Sequence, residues 1–553
     1  MNKKSINETI KENSKGLRGK LADNIKNNIT GAIDSDEQQL IKFHGMYMQD
    51  DRDVREEREN KKLERYFSFM IRLRIPAGVI TASQWQEVYR IAQESSTGII
   101  KITTRQTVQL HGMIKSKIKP TIKDFARFNL DSIAACGDVN RNVAASGWSS
   151  PIREEVQKYA DLLSIKLLPK TLAYNDIWLD GEKLKHNISK DENDPLYKTH
   201  YLPRKFKIGI AVPPNNDIDV FTNDIGLIAI YNDNKLLGFN IAIGGGLGTT
   251  HGNKETYPKL GEIIGYCDKD DVLNYCYEII TVQRDFGNRE QRHLSRLKYT
   301  IDKMGLDNFA QEVEKRVGKK LLPVKEFQFN DRIDEFGWKQ DPQKKFYKYT
   351  ILVEHGRLYN NENNIQYFDA LNEITNQFSD TEIHFTSNQN LIISNVSEQN
   401  KEKIDKILDQ YKVKEFTEKS SNIRKNSMAC VALNTCSLAL AEAQRYMPSL
   451  ITKIELLMKE HDILNKEIII RMTGCPNGCA RSRNAEIGFV GTALGHYNLY
   501  IGGDKNGHRL NFLYKENLNE NKILEELNFL FKEFKKSNEN FGDFSYNFIK
   551  KEN

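Results

Sequence analysis

Four of the seven cysteines fall into two closely spaced pairs in the C-terminal part of the chain. Cys430 and Cys436 have five residues between them, Cys475 and Cys479 have three, and thirty-eight residues separate the pairs. Four thiolates from two loops can hold a soft metal ion or an iron–sulfur cluster. Structural zinc pairs are usually more closely spaced than the first pair, so zinc is the weaker interpretation. The P-N-G between the second pair predicts a tight turn, whereas cysteines that merely fill a core need none.

The overall composition limits the class of protein. A chain of 553 residues is too long for one core and indicates roughly three or four domains. Its 81 Lys and Arg against 75 Asp and Glu leave a net charge of only +6, which does not indicate a protein that coats nucleic acid. No apolar run reaches the roughly 20 residues of a membrane span, and the N-terminus lacks the apolar stretch of a signal peptide. With the odd cysteine count, these features predict a cytoplasmic protein without a nucleic-acid or membrane partner.

Two distant segments share one pattern. I-K-I-T-T-R-Q-T-V-Q-L begins at Ile100 and I-H-F-T-S-N-Q-N-L-I-I begins at Ile383, and each ends a predicted strand–helix–strand unit. A repeat about 280 residues apart predicts an internal duplication with pseudo-two-fold symmetry, in which two halves bury a shared site between them. Chance similarity of two β-rich stretches is the alternative.

Polar stretches mark the edges of these units. Residues 1–65 are charge-dense and are expected to form a solvated arm, although the segment 43–53 has enough aromatic residues to pack on the body. The folded body is expected to begin near Tyr66. Segments 191–199 and 414–426 are predicted to be linkers.

Cations are concentrated in strand or strand-edge segments of the first half. Surface exposure is the ordinary fate of any one of them. Several that face inward would need an anionic partner, because unpaired buried charge is costly and the same segments contain too few acids. A polyanionic cofactor, a small anionic substrate or both would supply it. The residues concerned are Arg72, Arg74, Lys101, Arg105, Arg141, Arg204, Lys205 and Lys207.

A further basic segment follows the first half. Arg292, Arg296 and Tyr299 lie on one face if this segment is a helix, although a basic helix face in water is an equal alternative. The glycine run 244–248 lacks the spacing of a dinucleotide fingerprint, so we expect a tight backbone turn against a large ligand rather than NAD binding.

Together these features resemble the sulfite/nitrite reductase family, from about Gly16 to Phe544. The motifs concerned are T-G-C-P-N-G-C, N-S-M-A-C, N-R-N-V, L-P-R-K-F-K, Q-R-D-F-G-N-R and T-x-R-Q-T-x-Q-x-H-G. The segment F-H-G-M-Y-x-Q-D-D-R-D is similar to the NADPH-type hemoproteins of that family.

The resemblance implies two cofactors, a 4Fe–4S cluster on the four cysteines and siroheme beside it, with Cys479 bridging the cluster and the siroheme iron. It places substrate-anion binding and catalysis on Arg72, Arg141, Lys205 and Lys207. Siroheme carries many carboxylates, and the candidates to bind them are Arg105, Gln109, His111, Arg204, Arg296 and Lys298.

The resemblance also implies a fold and its domains. The fold is α+β (mixed α/β), internally duplicated and pseudo-two-fold, with three domains and an N-terminal arm. The expected boundaries are 1–65 for the arm, 66–134 with 346–413 for a duplicated ferredoxin-like domain of the parachute type, 135–345 for a siroheme and anion-binding domain, and 414–553 for the cluster and siroheme domain.

The function implied is the six-electron reduction of sulfite to sulfide in assimilatory sulfate reduction and cysteine biosynthesis. An NADPH-dependent flavoprotein subunit is the expected electron donor, with the arm as a docking element and ferredoxin as the alternative donor. One rival function is a siroheme nitrite reductase that forms ammonia, although such relatives tend to carry Asn at the position of Lys207. The other is a non-enzymatic interaction protein with a cysteine-bound metal.

Overall fold

The computed structural model of this protein describes residues 4–180, 194–341, 346–361 and 365–552. Its core elements are four five-stranded β-sheets with helices packed on them. One apolar core runs from Leu17 to Val413, and a second lies within residues 423–541. The α+β fold predicted from the sequence is therefore confirmed. Among the described helices, none combines the length and the apolar character that crossing a bilayer requires.

Two of the sheets are the repeated units, and they exchange strands. The strand Arg357–Leu358 from the second copy pairs with Ile100–Ile102 of the first, and Val79–Thr81 from the first pairs with Glu382–Phe385 of the second. Each copy therefore covers an edge of the other, which would otherwise present unpaired backbone groups. The strand orders are Met46–Asp50, Phe67–Arg72, Val108–Met113, Ile100–Ile102, Arg357–Leu358 in one sheet and Gly337–Gln340, Phe346–Ile351, Leu391–Ser397, Glu382–Phe385, Val79–Thr81 in the other.

Equivalent helices of the two copies also pack on each other. The helix Ala82–Ser95 begins with a capping box between Thr81 and Gln84, and Trp85 on its buried face donates a hydrogen bond over 3.1 Å to Asn372 of the helix Tyr367–Gln377. The two copies therefore bury the apolar faces of these helices together.

The other two sheets are a second pair of copies. In each, the first three strands run parallel and the last two antiparallel. The predicted duplication therefore extends to both kinds of sheet. The strands are Ala144–Ala145, Ile208–Ala211, Ile225–Asn232, Lys235–Ile243 and Glu262–Asp268 in one sheet and Ser427–Ala429, Ile470–Thr473, Ile487–Ala493, His496–Ile501 and Phe512–Leu518 in the other.

The chain forms further α-helices beside these two. Those of four or more residues are Ile6–Glu12, Leu21–Lys26, Ser35–Leu40, Arg55–Asn60, Lys115–Arg127, Arg153–Lys166, Val272–Phe286, Leu297–Met304, Leu306–Val317, Glu398–Gln410, Val413–Lys419, Asn422–Lys425, Met447–Glu460, Glu520–Phe534 and Phe541–Glu552. After the first strand of each parallel sheet comes one long helix, Arg153–Lys166 or Met447–Glu460. These two helices are equivalents in the duplication.

Three local predictions differ from the structure. The segment 414–426 is not a linker but two short helices that bury Val413, Thr417 and Ile423. The segment 292–299 is not one helix, because Arg296 has an extended backbone and a new helix begins at Leu297. The predicted arm contributes the strand Met46–Asp50 to a sheet. Residues 191–193 of the other predicted linker lie outside the described residues.

A buried group of ion pairs joins the two halves. Asp219 of the first half accepts from Arg332 at 3.1 Å and from Arg471 at 2.5 Å, and it forms an ion pair with Arg481 at 2.8 Å. All four side chains are buried. One carboxylate therefore neutralises guanidinium groups from both halves, and its loss would leave them uncompensated.

Replacing this carboxylate is expected to destabilise the protein strongly. Asp219→Asn should lower the free energy of unfolding by about 3–5 kcal/mol, because it leaves buried guanidinium groups without their counter-charge. Denaturant unfolding measures this change. Glu402→Gln is the control, since Glu402 pairs with Lys406 on the surface and the variant should unfold at the wild-type midpoint. A wild-type midpoint for Asp219→Asn would contradict this interpretation.

Candidate functional site

The two cysteine pairs lie in loops that leave the same edge of one sheet. Cys430 directly follows the strand Ser427–Ala429, and Cys475 comes two residues after the strand Ile470–Thr473. These strands are parallel neighbours, so their carboxyl ends meet at one edge. The parallel direction of these two neighbouring strands therefore brings the two cysteine loops together.

The four thiols are reduced and close enough to influence one another. Burial raises the pKa of Cys430 well above its usual range and that of Cys436 to about 11, and the neighbouring Cys479 adds to both shifts. Two N–H groups already point at sulfur, from the Gly474 backbone to Cys430 at 3.3 Å and from the Asn477 side chain to Cys475 at 3.4 Å. In the described part of the chain, no three Cys, His, Asp or Glu side chains converge closely enough for a single metal ion.

The glycine run 244–248 packs against the second cysteine loop. The Thr249 amide donates to the Pro476 carbonyl at 2.9 Å, and a Cβ on Gly248 would lie 2.9 Å from the Asn477 carbonyl oxygen. The sequence predicted a tight turn here, and the turn lies against the loop C-P-N-G-C of the other half.

Arg296 and Lys298 hold this glycine turn. The Arg296 guanidinium forms a buried ion pair with Asp224 at 2.9 Å, and the Lys298 ammonium donates to the carbonyls of Gly246 at 3.0 Å and Gly248 at 3.1 Å. Both side chains already have protein partners in the structure. Their predicted contact with cofactor carboxylates stays a prediction.

Three other cations have no partner. Among the described residues, none forms a hydrogen bond or ion pair with the side chains of Arg204, Lys205 and Lys207. Burial lowers the pKa of Lys205 to about 7, with a further contribution from Arg204. Burial and the neighbouring Lys205 lower the pKa of Lys207 well below its usual range. Both lysines nevertheless retain some solvent exposure and are half-buried.

Cys479 lies near the other three site cysteines and near Lys205 and Lys207. Its thiolate opposes the lowering of the pKa of both Lys205 and Lys207, and it raises the pKa of the other three site cysteines. The Cys479 carbonyl accepts from the Thr104 hydroxyl at 3.1 Å, which ties the loop to the first copy of the repeat. The two groups of residues predicted from the sequence therefore meet at this cysteine.

Arg72 and Arg141 converge on one carbonyl. The Ala135 oxygen accepts from Arg72 at 3.3 Å and from Arg141 at 3.0 Å, and Arg141 also donates to the Gly137 carbonyl at 2.8 Å. Arg72 donates further to the thiol of Cys136 at 3.2 Å, a contact that the sequence analysis missed. These backbone acceptors fix both guanidinium groups without neutralising their charge.

Gln109 connects Arg72 to His111. With its amide oxygen toward Arg72, it accepts from the Arg72 Nε at 2.9 Å and donates to the His111 Nε2 at 3.1 Å. The other nitrogen of His111 lies 3.0 Å from the Gln49 side chain and 3.1 Å from the Thr435 hydroxyl. Burial holds the pKa of His111 well below its usual range, so the ring is neutral and can bond on both sides.

Arg105 is fixed mainly by the protein. It donates to Asn223 at 2.5 Å and to the carbonyls of Asn142 and Ile208 at 2.6 Å each, while its Nε is buried without a partner. Burial lowers its pKa to about 9, with further lowering by Arg481.

The residues present fit the two implied cofactors. Half-buried cations without a counter-charge favour a polyanionic ligand, because the described residues do not supply one. Four thiols from two loops, with N–H donors already directed at two of them, are the donor set of an iron–sulfur cluster. Cys479 is placed where one sulfur could serve both groups.

Two family models match parts of the chain. The description "Nitrite/Sulfite reductase ferredoxin-like half domain" matches residues 62–128 and 339–411, the two exchanged copies. The description "Nitrite and sulphite reductase 4Fe-4S domain" matches residues 158–321, which lie in the half without the cysteine pairs. Curated relatives extend the similarity over almost the whole chain, with 56% identity over 547 residues for one of them.

The chain belongs to the nitrite and sulfite reductase family. That relative, from Leptospira biflexa serovar Patoc, is named "Sulfite reductase [NADPH] hemoprotein beta-component", and the match covers 98% of each chain. Proteins of the same name from Staphylococcus epidermidis and Geobacillus thermodenitrificans are 48% and 47% identical, over 97% of this chain and 94% of theirs. The solved structure of Mycobacterium tuberculosis NirA superposes with a TM-score of 0.79 over 98% of this chain and 96% of NirA, at 21% identity, which supports the fold.

The position of Cys479 generates a test of the quartet. Cys479→Ser should lose bound iron and acid-labile sulfide as well as siroheme absorbance, because one sulfur is expected to contact both groups. Iron and sulfide assays with a visible spectrum measure this loss. Cys276→Ala is the control, since Cys276 is buried in the core of the first half and should leave all three unchanged. A Cys479→Ser protein with wild-type cofactor content would refute the shared position.

Proposed function

We propose that this chain reduces sulfite to sulfide, as the siroheme subunit of an assimilatory sulfite reductase. The observation that carries the proposal is that Cys479 lies near three further cysteines and near two half-buried lysines without a described partner. Membership of the family and the printed names of relatives that match along their full length support it. The function would belong to assimilatory sulfate reduction and cysteine biosynthesis.

The cofactors would be held by residues from both halves. Cys430, Cys436, Cys475 and Cys479 would bind a 4Fe–4S cluster, and Cys479 would also ligate the siroheme iron. When bound, the two groups would store and relay electrons that arrive singly, which a six-electron reduction requires. The candidates for the siroheme carboxylates remain Arg105, Gln109, His111, Arg204, Arg296 and Lys298.

These six candidates differ in whether the protein already supplies hydrogen-bond or ion-pair partners for their side chains. Arg204 has no described partner and is the strongest of them. Arg296 and Lys298 already support the glycine turn, so we propose that they act mainly by shaping the wall of the siroheme site. Gln109 and His111 form a neutral bridge toward Arg72 and can donate or accept hydrogen bonds without adding charge.

Arg72 and Arg141 would bind the substrate dianion. Their guanidinium groups are fixed by the shared Ala135 carbonyl, so binding need not order them again. Guanidinium groups keep their charge at any physiological pH. Both would therefore bind the anion and stabilise negative charge while the oxygens leave.

Lys205 and Lys207 would supply protons. Each oxygen of sulfite must leave as water, so proton donors are needed next to the substrate. Burial and the neighbouring cations lower the pKa of both ammonium groups, which makes proton release near neutral pH far easier than from a solvated lysine. Bound anions would hold the protons until the S–O bonds break.

Electrons would come from another protein. The word NADPH in the names of the relatives and the designation beta-component support an NADPH-dependent flavoprotein as the partner, with ferredoxin as the alternative donor. We propose that this partnership operates in the cytoplasm.

Replacement of one lysine tests the proton-donor role. Lys207→Met should retain both cofactors yet lower sulfite turnover by about 10²–10⁴-fold, because it removes a positioned proton donor. Turnover with a reduced dye measures this loss, and the visible spectrum verifies cofactor content. Lys235→Met, which alters an exposed lysine on a surface strand, should behave like the wild type. Undiminished turnover in Lys207→Met would contradict the proton-donor role of Lys207.

The rival function as a nitrite reductase can be separated by a direct comparison. Lys207 favours sulfite, since the nitrite-reducing relatives tend to carry Asn there. With one reduced dye donor, kcat/KM for sulfite should exceed kcat/KM for nitrite. A preference for nitrite would transfer the proposal to ammonia formation.

A further inference from the structure

A short stretch of the predicted arm, residues 51–53, contacts the first cysteine loop, which comprises residues 430–439. This stretch directly follows the first strand of the chain. The Arg52 amide donates to the Asn434 carbonyl at 3.4 Å, and the Asn434 side chain donates back to the Asp51 carboxylate at 2.6 Å. Asn434 lies two residues before Cys436, so these hydrogen bonds are made inside the loop that carries the first cysteine pair.

The Arg52 guanidinium makes a second contact with this loop. Its Nη1 donates to the Ala439 carbonyl at 2.8 Å and lies 3.5 Å from the carbonyl oxygen of Cys436. The side chain is half-buried, and among the described residues no carboxylate forms an ion pair with it. The guanidinium is therefore directed at backbone oxygens of the first cysteine loop, to which a charged donor makes a strong hydrogen bond.

The first cysteine loop needs support from outside, because its own backbone is strained. Ala432, which lies between the two cysteines, has a φ of 50°. This left-handed conformation is unfavourable for a residue with a Cβ, and it persists only where surrounding contacts hold it. Arg52 and Asp51 supply such contacts on one side, and His111 supplies another, since its Nδ1 lies 3.1 Å from the Thr435 hydroxyl.

We propose that Arg52 is a positioning residue for the iron–sulfur cluster, which fixes the backbone after Cys436 so that this thiol stays with the other three. This inference rests on the proposed function. It makes residues 51–53 part of the cluster site, independently of any docking of the electron donor by the arm. Any opening of the first cysteine loop must break the hydrogen bond between Arg52 and Ala439, so this bond should slow the loss of iron.

The test is Arg52→Met in the full-length holoprotein, because methionine keeps an unbranched apolar stem and removes the charged donor. Release of iron to the ferrous chelator bathophenanthroline, without substrate, should become about 10-fold faster, as expected for loss of one hydrogen bond from a charged group. Acid-labile sulfide should fall in parallel. Arg52→Lys should restore most of the wild-type rate, because an ammonium group keeps the charge and can donate to the same carbonyl.

Arg55→Met is the matched control, because Arg55 lies three residues later and pairs with Asp50 at 2.7 Å rather than with the first cysteine loop. It should release iron at the wild-type rate. A wild-type rate in Arg52→Met would overturn the positioning role. Release from Arg52→Lys as fast as from Arg52→Met would overturn it as well.

A second variant covers the case in which Arg52→Met does not fold. Asp51→Ala removes the acceptor of the Asn434 side chain, and it should also release iron about 10-fold faster than the wild type. An unchanged rate in Asp51→Ala would then count against the support of the loop by residues 51–53. A wild-type protein that holds the cluster but does not reduce sulfite would refute the proposed function alone, and one without iron and labile sulfide would refute both.

Discussion

Three neighbouring cations repel one another, and the architecture of this site depends on how that repulsion is relieved. Arg204, Lys205 and Lys207 have no partner among the described residues, and burial lowers the pKa of all three. The protein tolerates this arrangement because other elements fix the surrounding backbone. A polyanionic cofactor would convert the repulsion into binding energy, while the cysteines opposite hold the other end of the site.

The duplication explains why the two halves contribute different residues to the proposed site among the described parts of the chain. Arg105 in the first repeat corresponds to Asn388 in the second, which follows from the shared Thr-x-x-Gln pattern. Around Asn388 the space is filled by the protein's own ions, since Arg481 donates to the Ser387 carbonyl at 2.7 Å and pairs with Asp219 at 2.8 Å. The first half leaves Arg204, Lys205 and Lys207 without a described partner, whereas Arg471 and Arg481 of the second half pair with Asp219 of the first, and the second half supplies the cysteines. Each half therefore supplies a different set of side chains to one composite site.

Much of this could be predicted from the sequence, because the signals are local. The cysteine spacing, the repeated Thr-x-x-Gln strands and the helix capped by Thr81 each lie within a short window. The strand exchange could not be predicted, since Val79–Thr81 and Arg357–Leu358 are too short to show a period. The segment 414–426 looked like a linker because few of its residues are apolar, yet those few are buried.

For the cations too, a feature within one short segment could be predicted, whereas contacts between distant segments could not. Their presence was evident from the sequence, but their partners were not. Arg296 and Lys298 are bonded to Asp224 and to backbone carbonyls of the glycine turn, which lie about fifty to seventy residues earlier in the chain. Such roles depend on long-range contacts, which a pattern within one window does not contain.

We propose that the Cys479 sulfur couples the cluster and the siroheme electronically. Mössbauer spectroscopy of protein grown on isotopically enriched iron tests it most directly. The account predicts that the cluster irons of the oxidised protein carry magnetic splitting induced by the siroheme iron, because one sulfur connects them. Cluster and siroheme signals that are independent of each other, or a colourless protein that contains stoichiometric zinc, would contradict it.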